Sequence, residues 1–207
     1  MNPWITALAV AFALYPVAAL GQEAGLIGHW EFSPDRTQNS GMRAVSGKEI
    51  SFSGSPRVVK DPPPARVELA GRDESIVIAS GIDRTILPAT EMTAEAWVRV
   101  DKVTQWGGLV GAIQDNGEFE RGWLLGFVNS IFSLGLATEK AGKLTYLAST
   151  KPFETNHWYH VAGTYDGTEI FSLTFPPGRF GYPMSYAIYQ PLLEETLKLR
   201  KTKVGTN

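Results

Sequence analysis

Between Thr93 and Ile170, apolar runs rich in Trp, Val and Leu alternate with short turns of Gly, Asn and Asp, and this rhythm constrains the fold more than any other feature of the chain. In Thr93 to Val100, Ala94, Ala96, Val98 and Val100 share one face, while Glu95, Trp97 and Arg99 share the other. Successive side chains of an extended backbone point opposite ways, so this pattern predicts a strand whose first face is in the core. Leu109 to Ile113 and Trp123 to Val128 flank Asp115-Asn116-Gly117, a turn sequence that tolerates left-handed backbone, which predicts a hairpin. Ile131 to Ala137 and Leu144 to Leu147 flank Thr138 to Lys143 and predict another. His157 to Tyr165 predicts a further strand, ended by Asp166-Gly167. Strands at such short intervals, with no helices between them, predict antiparallel sheets packed face to face.

Upstream, Gly25 to Phe32 has the composition of an opening strand, with Ile27 and His29 on one face and Gly28, Trp30 and Phe32 on the other. Ser33 to Pro64 reads mostly as loop, with a short strand at Glu49 to Phe52. Arg66 to Leu69 and Ser75 to Ile78, separated by Gly71 to Glu74, predict a strand pair with a polar turn. A chain of 207 residues, 43% hydrophobic, has material for one sizeable core, so one folded domain is expected. The formal net charge of -2 comes without a long basic block, so nucleic acid is not an expected partner. The absence of cysteine excludes disulfides and Cys-based zinc or iron-sulfur sites.

From Ile5 to Leu20 runs an uncharged apolar stretch broken only by Thr6 and Pro16 and followed by Gly21, Gln22 and Glu23. It predicts a secretory signal over residues 1–21, with Ala19 and Gly21 as the small residues before cleavage at Gln22. The expected location is therefore secreted or extracytoplasmic: periplasm, cell surface or extracellular. Because Lys and Arg are missing ahead of the run, an uncleaved anchor is the alternative, and a membrane is an expected partner only in that case.

TAEAWVRV, then GGLVGAIQDN with GWLLGF, then NHWYHVAGTYDGTEI resemble the strand signatures of laminin-G-like domains in the concanavalin A-like lectin/glucanase superfamily. The resemblance runs from about Gly25 to Ile170 and implies an all-β, antiparallel jelly-roll β-sandwich. It is specific for fold and not for function, since the superfamily hosts lectins, adhesion modules and glycosidases alike. It also implies a strand reading roughly "lYvNG" after YDG and a closing "IDEVRIYnraL" segment, and neither is present. The chain instead continues through Phe171 to Pro177 and ends near Pro191 to Lys201, a helical pattern with a Glu194 to Lys198 pair. The expected organisation is a signal over 1–21, an incomplete sandwich over 22–171 and a divergent tail over 172–207. One reading is a truncated or frame-disrupted domain. The competing reading is that the tail replaces the missing strands, with Phe171 to Phe175 pairing and the helix covering an edge.

Candidate chemistry is sparse. The resemblance extends to pentraxins, whose comparable Asp-Asn pair implies calcium at Asp115 and Asn116, with Asp166 as a second candidate ligand; plain turn chemistry explains all three as well. No other cofactor is expected. Glu118 and Glu120 have the i,i+2 spacing of paired carboxylates, but the Glu-x-Asp-x-x-Glu strand of the superfamily's glucanases is missing, so no catalytic residue is assigned. His157 and His160 fall on opposite strand faces and cannot share a zinc ion. For sugar binding, Trp106 sits in a polar, Gly-flanked loop, Thr104 to Gly108, that suits an exposed platform, the alternative being a core Trp. Trp97 and Arg99, beside Glu95, are the candidates on a sheet face, a cross-strand salt bridge being the ordinary alternative. Trp30, Trp97, Trp123 and Trp158 are expected in the core. The resulting expectation is an exported, non-catalytic binding module for carbohydrate or an extracellular protein or glycan surface, acting through rim loops. Its alternatives are a structural or adhesive domain, a glycoside hydrolase of the glucanase branch, or a truncated product without independent function.

Overall fold

The computed structural model describes residues 26–33, 35–38, 40–60, 65–70, 73–79, 90–115, 117–137, 142–175, 185–189 and 202–203. The expected signal segment and the expected helix from Pro191 to Lys201 lie outside the described residues, as does Asn116. In chain order the strands are β1 (Leu26–Glu31), β2 (Thr37–Gln38), β3 (Gly41–Met42), β4 (Ile50–Ser53), β5 (Arg57–Val59), β6 (Arg66–Glu68), β7 (Ser75–Val77) and β8 (Met92–Arg99). They continue as β9 (Trp106–Gln114), β10 (Arg121–Val128), β11 (Ile131–Ala137), β12 (Thr145–Ala148), β13 (Trp158–Tyr165), β14 (Glu169–Phe175), β15 (Ser185–Tyr189) and β16 (Thr202–Lys203). No helix appears among the described residues, and the protein is all-β with antiparallel pairing throughout them.

A six-stranded sheet runs β1-β15-β8-β13-β14-β16 and a four-stranded sheet runs β12-β11-β10-β9. Gly163 of β13 lies so close to β11 that a Cβ there would stand 2.9 Å from Leu134 Cδ2, so the two sheets stack face to face. Between them lie the residues that the alternation predicts. Ala94, Ala96 and Val98 of β8, Leu125 and Phe127 of β10, and Phe132 and Leu134 of β11 are all essentially inaccessible. At one end an aromatic cluster closes the core. The Phe132 ring centroid is 4.5 Å from that of Phe153 and 5.6 Å from that of Tyr159. Each such pair adds about 0.5–1.5 kcal/mol beyond its area burial, and losing a ring like Phe132 costs about 3–5 kcal/mol.

Two sequence expectations are corrected. Arg66 to Leu69 and Ser75 to Ile78 do not pair with each other: β6 pairs β5, with Val67 opposite Val58, and β7 pairs β4, with Ile76 opposite Phe52. The reason lies in a buried charge. Glu68, only 8% exposed, takes hydrogen bonds from both Arg57 and Arg66, which ties β6 to β5. Second, Trp158 is only partly buried, with the Arg99 guanidinium 5.5 Å from its ring centroid. Ser33 to Pro64 is mostly loop, as expected, but it carries four short strands, β2 to β5, where one was expected. Phe171 to Phe175, left open by the sequence, run in β14 against β13, and β15 lies between β1 and β8.

Candidate functional site

The outer face of the four-stranded sheet is set by register. Gly107 sits opposite Phe127 and has no room for a side chain against that ring, so Gly107 faces the core and its neighbours Trp106 and Gly108 face outward. On the same outer face, Gly108 stands opposite Gly126, Gly126 opposite Ser133, and Ser133 opposite Ala148. This row of small residues makes a low floor across all four strands. Trp106 rises on one side of it and Tyr146 on the other. They are 58% and 41% exposed, and their ring centroids are 6.1 Å apart at an interplanar angle of 49°. Tyr146 leans over Gly135, where a Cβ would come within 2.7 Å of its Cε1. The glycine therefore fixes where the Tyr146 ring can lie.

Trp106 thus opens β9 itself instead of riding on a loop, and its exposure comes from alternation within the strand. The Thr104 hydroxyl donates to the Trp106 carbonyl at 2.7 Å and helps fix the strand start. Burial, together with the negative charges of Asp115 and Glu120, pushes the Tyr146 hydroxyl above the usual tyrosine range, so at neutral pH it is protonated and can donate. Tyr146 was not singled out in the sequence. The signal was there: in Thr145-Tyr146-Leu147, a core-facing Leu147 forces Tyr146 to the opposite face.

Trp97 and Arg99 lie on β8 in the six-stranded sheet, away from this pair. Trp97 is 7% exposed, with its ring centroid 5.4 Å from that of His160, which leaves almost no open face for stacking on a ligand. Glu95 stands 3.3 Å from His160 Nε2 instead of bridging Arg99. Arg99 is committed to Asp101 through two hydrogen bonds, at 2.7 and 3.0 Å. His157 Nδ1 lies 2.9 Å from Thr155 O, in the local turn.

Two of the carboxylates named in the sequence, Asp166 and Glu120, hold backbone amides at chain connections. Asp166 Oδ1 accepts from the amides of Thr168 at 2.9 Å and Glu169 at 2.6 Å, which shapes the β13–β14 hairpin. Asp115 follows β9 directly in the β9–β10 connection, and the Glu120 carboxylate accepts from Leu144 N and pins that connection to the approach to β12. Among the described residues no three His, Cys, Asp or Glu side chains gather closely enough to hold a metal ion, and no helix is long and apolar enough to cross a membrane.

A family model described as the concanavalin A-like lectin/glucanases superfamily matches residues 71–174, half of the chain. The chain is also similar to pappalysin-1 of Mus musculus, with 23% identity over 117 residues, 51% of this chain. It spans 7% of the length of that much larger protein.

Proposed function

The chain belongs to the concanavalin A-like lectin/glucanases superfamily, and from that premise we propose that it is an exported, non-catalytic module that binds carbohydrate by stacking sugar rings on Trp106 and Tyr146. The observation that carries this reading is the pair itself: two large rings, exposed and tilted toward each other over a floor of Gly108, Gly126 and Ser133. Trp106 is 58% exposed, and the apolar faces of a pyranose cover such a ring well. The protonated Tyr146 hydroxyl supplies one donor beside the stack, and Asp115 and Glu120 give that side of the floor negative character. Stacking needs no metal, so binding is expected to persist without calcium. Export is supported by the apolar Ile5 to Leu20 run. A non-catalytic role is supported by the engagement of Glu120 in holding Leu144 N, which leaves that carboxylate poorly placed as a general acid.

The test is a glycan array, with and without calcium, on protein shown to be monomeric and cooperatively folded, followed by calorimetric titration of the best glycan. Trp106→Ala should weaken binding about tenfold, the factor that 1.4 kcal/mol gives, at unchanged thermal stability. No glycan bound by folded protein, or a glycan bound equally by Trp106→Ala, would end this reading.

A further inference from the structure

A cavity of about 410 Å³ lies between β7 and β9, and the way it is lined is unusual. Residues 75–79 and residues 108–112 all border it, two runs of five consecutive positions. Successive side chains of a strand point to opposite faces, so a space touched by every residue of a run lies along the strand's edge and not against one face. Among the described residues both strands are sheet edges: β9 ends the order β12-β11-β10-β9, and β7 ends the order β2-β3-β4-β7. An edge strand presents unpaired N–H and C=O groups, a template for one more strand.

The dimensions fit one chain. Each lining run is five positions long, which matches an added segment of about five extended residues, about 17 Å in length. The chemistry fits as well. Trp30 and Trp123 both border the cavity; Trp30 Nε1 donates to Lys48 O at 2.7 Å, whereas Trp123 Nε1 is buried and has no hydrogen-bond partner. A buried N–H left unmet is costly, and an occupant bearing an oxygen there would satisfy it. The remaining lining is mainly apolar, and its two charges, Lys48 and Glu74, are of opposite sign, so the slot favours an uncharged occupant. Leu109 forms a bulge in β9, between the pairs Val110–Leu125 and Gly108–Gly126. Bulges discourage flat sheet-to-sheet pairing, which favours a short single segment over a second copy of this chain.

We propose that the slot between β7 and β9 captures an uncharged, extended peptide segment of a partner protein, about five residues long, as an added strand that joins the two four-stranded sheets. Its backbone pairs with both edges, its alternate apolar side chains enter the core beside Trp30 and Ile50, and one of its oxygens accepts from Trp123 Nε1. The proposal is independent of the sugar reading, which concerns the open face of the β12-β11-β10-β9 sheet.

The test uses the whole chain and a pool of blocked pentapeptides in which every position is Val or Thr. At least one member should bind saturably, shift the indole N–H resonance of Trp123, and slow hydrogen exchange of edge amides in both β7 and β9 at least tenfold. N-methylation of its alternate amides should abolish capture, and Leu109→Lys should weaken it at least tenfold. Any one of three results overturns the proposal: no pool member binds, the β7 and β9 edge amides are already protected in the free protein, or binding survives N-methylation in either register. A fourth is that camphor, a compact apolar ketone, shifts the Trp123 resonance while the pool does not, which would make the slot a small-molecule pocket. The exchange readout is made on the native sequence and does not depend on how the Leu109 variant folds.

Discussion

Acidification from neutral pH should cost the protein a defined part of its stability through one histidine. His29 lies in β1, and burial, reinforced by the positive charge of Arg36, lowers its pKa from 6.5 to about 4. The folded state thus resists protonation at a pH where the unfolded chain accepts a proton freely. The sign follows: this contribution is fully present above pH 6.5 and is lost as pH falls toward 4, because the unfolded state binds more protons in that window. A tenfold difference in proton affinity between the two states corresponds to about 1.4 kcal/mol, and with the ring partly exposed the loss comes to about 2–3 kcal/mol. Carboxylates elsewhere also titrate toward pH 4, so the measurement is a difference. Denaturant midpoints of the native sequence and of His29→Gln, taken at half-unit steps from pH 7 to 4.5, should converge or cross as the native sequence loses its extra increment. Parallel curves for the two proteins, or an imidazole NMR midpoint above about 5.5 in the folded protein, would show that β1 does not shield this ring.

Four shorter expectations test the rest of the architecture. Thr93 and Thr164 are fully buried with their hydroxyls 2.9 Å apart, so Thr93→Val should cost about 1–3 kcal/mol and the double Thr93→Val, Thr164→Val variant clearly less than two single losses, as measured in a chemical-denaturation cycle. Arg66→Met leaves Glu68 with Arg57, whose side chain is 75% exposed, and should cost about 3 kcal/mol by thermal melting. Burial acts to raise the Glu68 pKa, but the hydrogen bonds and charges of Arg57 and Arg66 outweigh it and hold the carboxyl below the ordinary value; that stability is present at neutral pH and disappears as acid protonates the group. Gly135→Ala should displace the Tyr146 ring and reduce glycan affinity severalfold in calorimetry with little change in melting temperature. Millimolar calcium should leave the melting temperature unchanged, since Asp166 Oδ1 already holds two amides; a rise of several degrees would assign a site there.

Much of the sandwich was legible because period-two patterning is strongest where both sheets are covered. Ala94, Ala96 and Val98 declared their core face from the sequence alone, and the β9–β10 and β11–β12 hairpins followed from their turn residues. The β10–β11 turn was less audible, since its left-handed position is taken by Asn129, φ 53°, in place of glycine. Between Ser33 and Val77 the strands are two to four residues long, too short for periodicity to register. There partner choice was set by non-local contacts, such as Glu68 with Arg57, which no local pattern carries. At the candidate site, Trp106 was visible as a residue and its partner was not. That Trp106 meets Tyr146 depends on β9 and β12 lying at opposite margins of one sheet, with only small side chains rising between them. Trp97 shows the reverse: a residue on the nominally polar face of its strand that is nonetheless covered.

One feature of the larger sheet bears on how the molecule is made. β15 separates β1 from β8, with Leu26 opposite Tyr189 and Ala94 opposite Ile188, so among the described residues β1 joins the larger sheet through one of the latest strands. On the ribosome, every nascent chain passes through a stage in which β1 and β8 wait, unjoined, for residues 185–189 to emerge. High contact order of this kind slows folding and prolongs the exposure of sticky intermediates. Synthesis halted after Phe175 should therefore yield a product that clumps in the cell, while a chain extended through residues 185–189 closes this sheet.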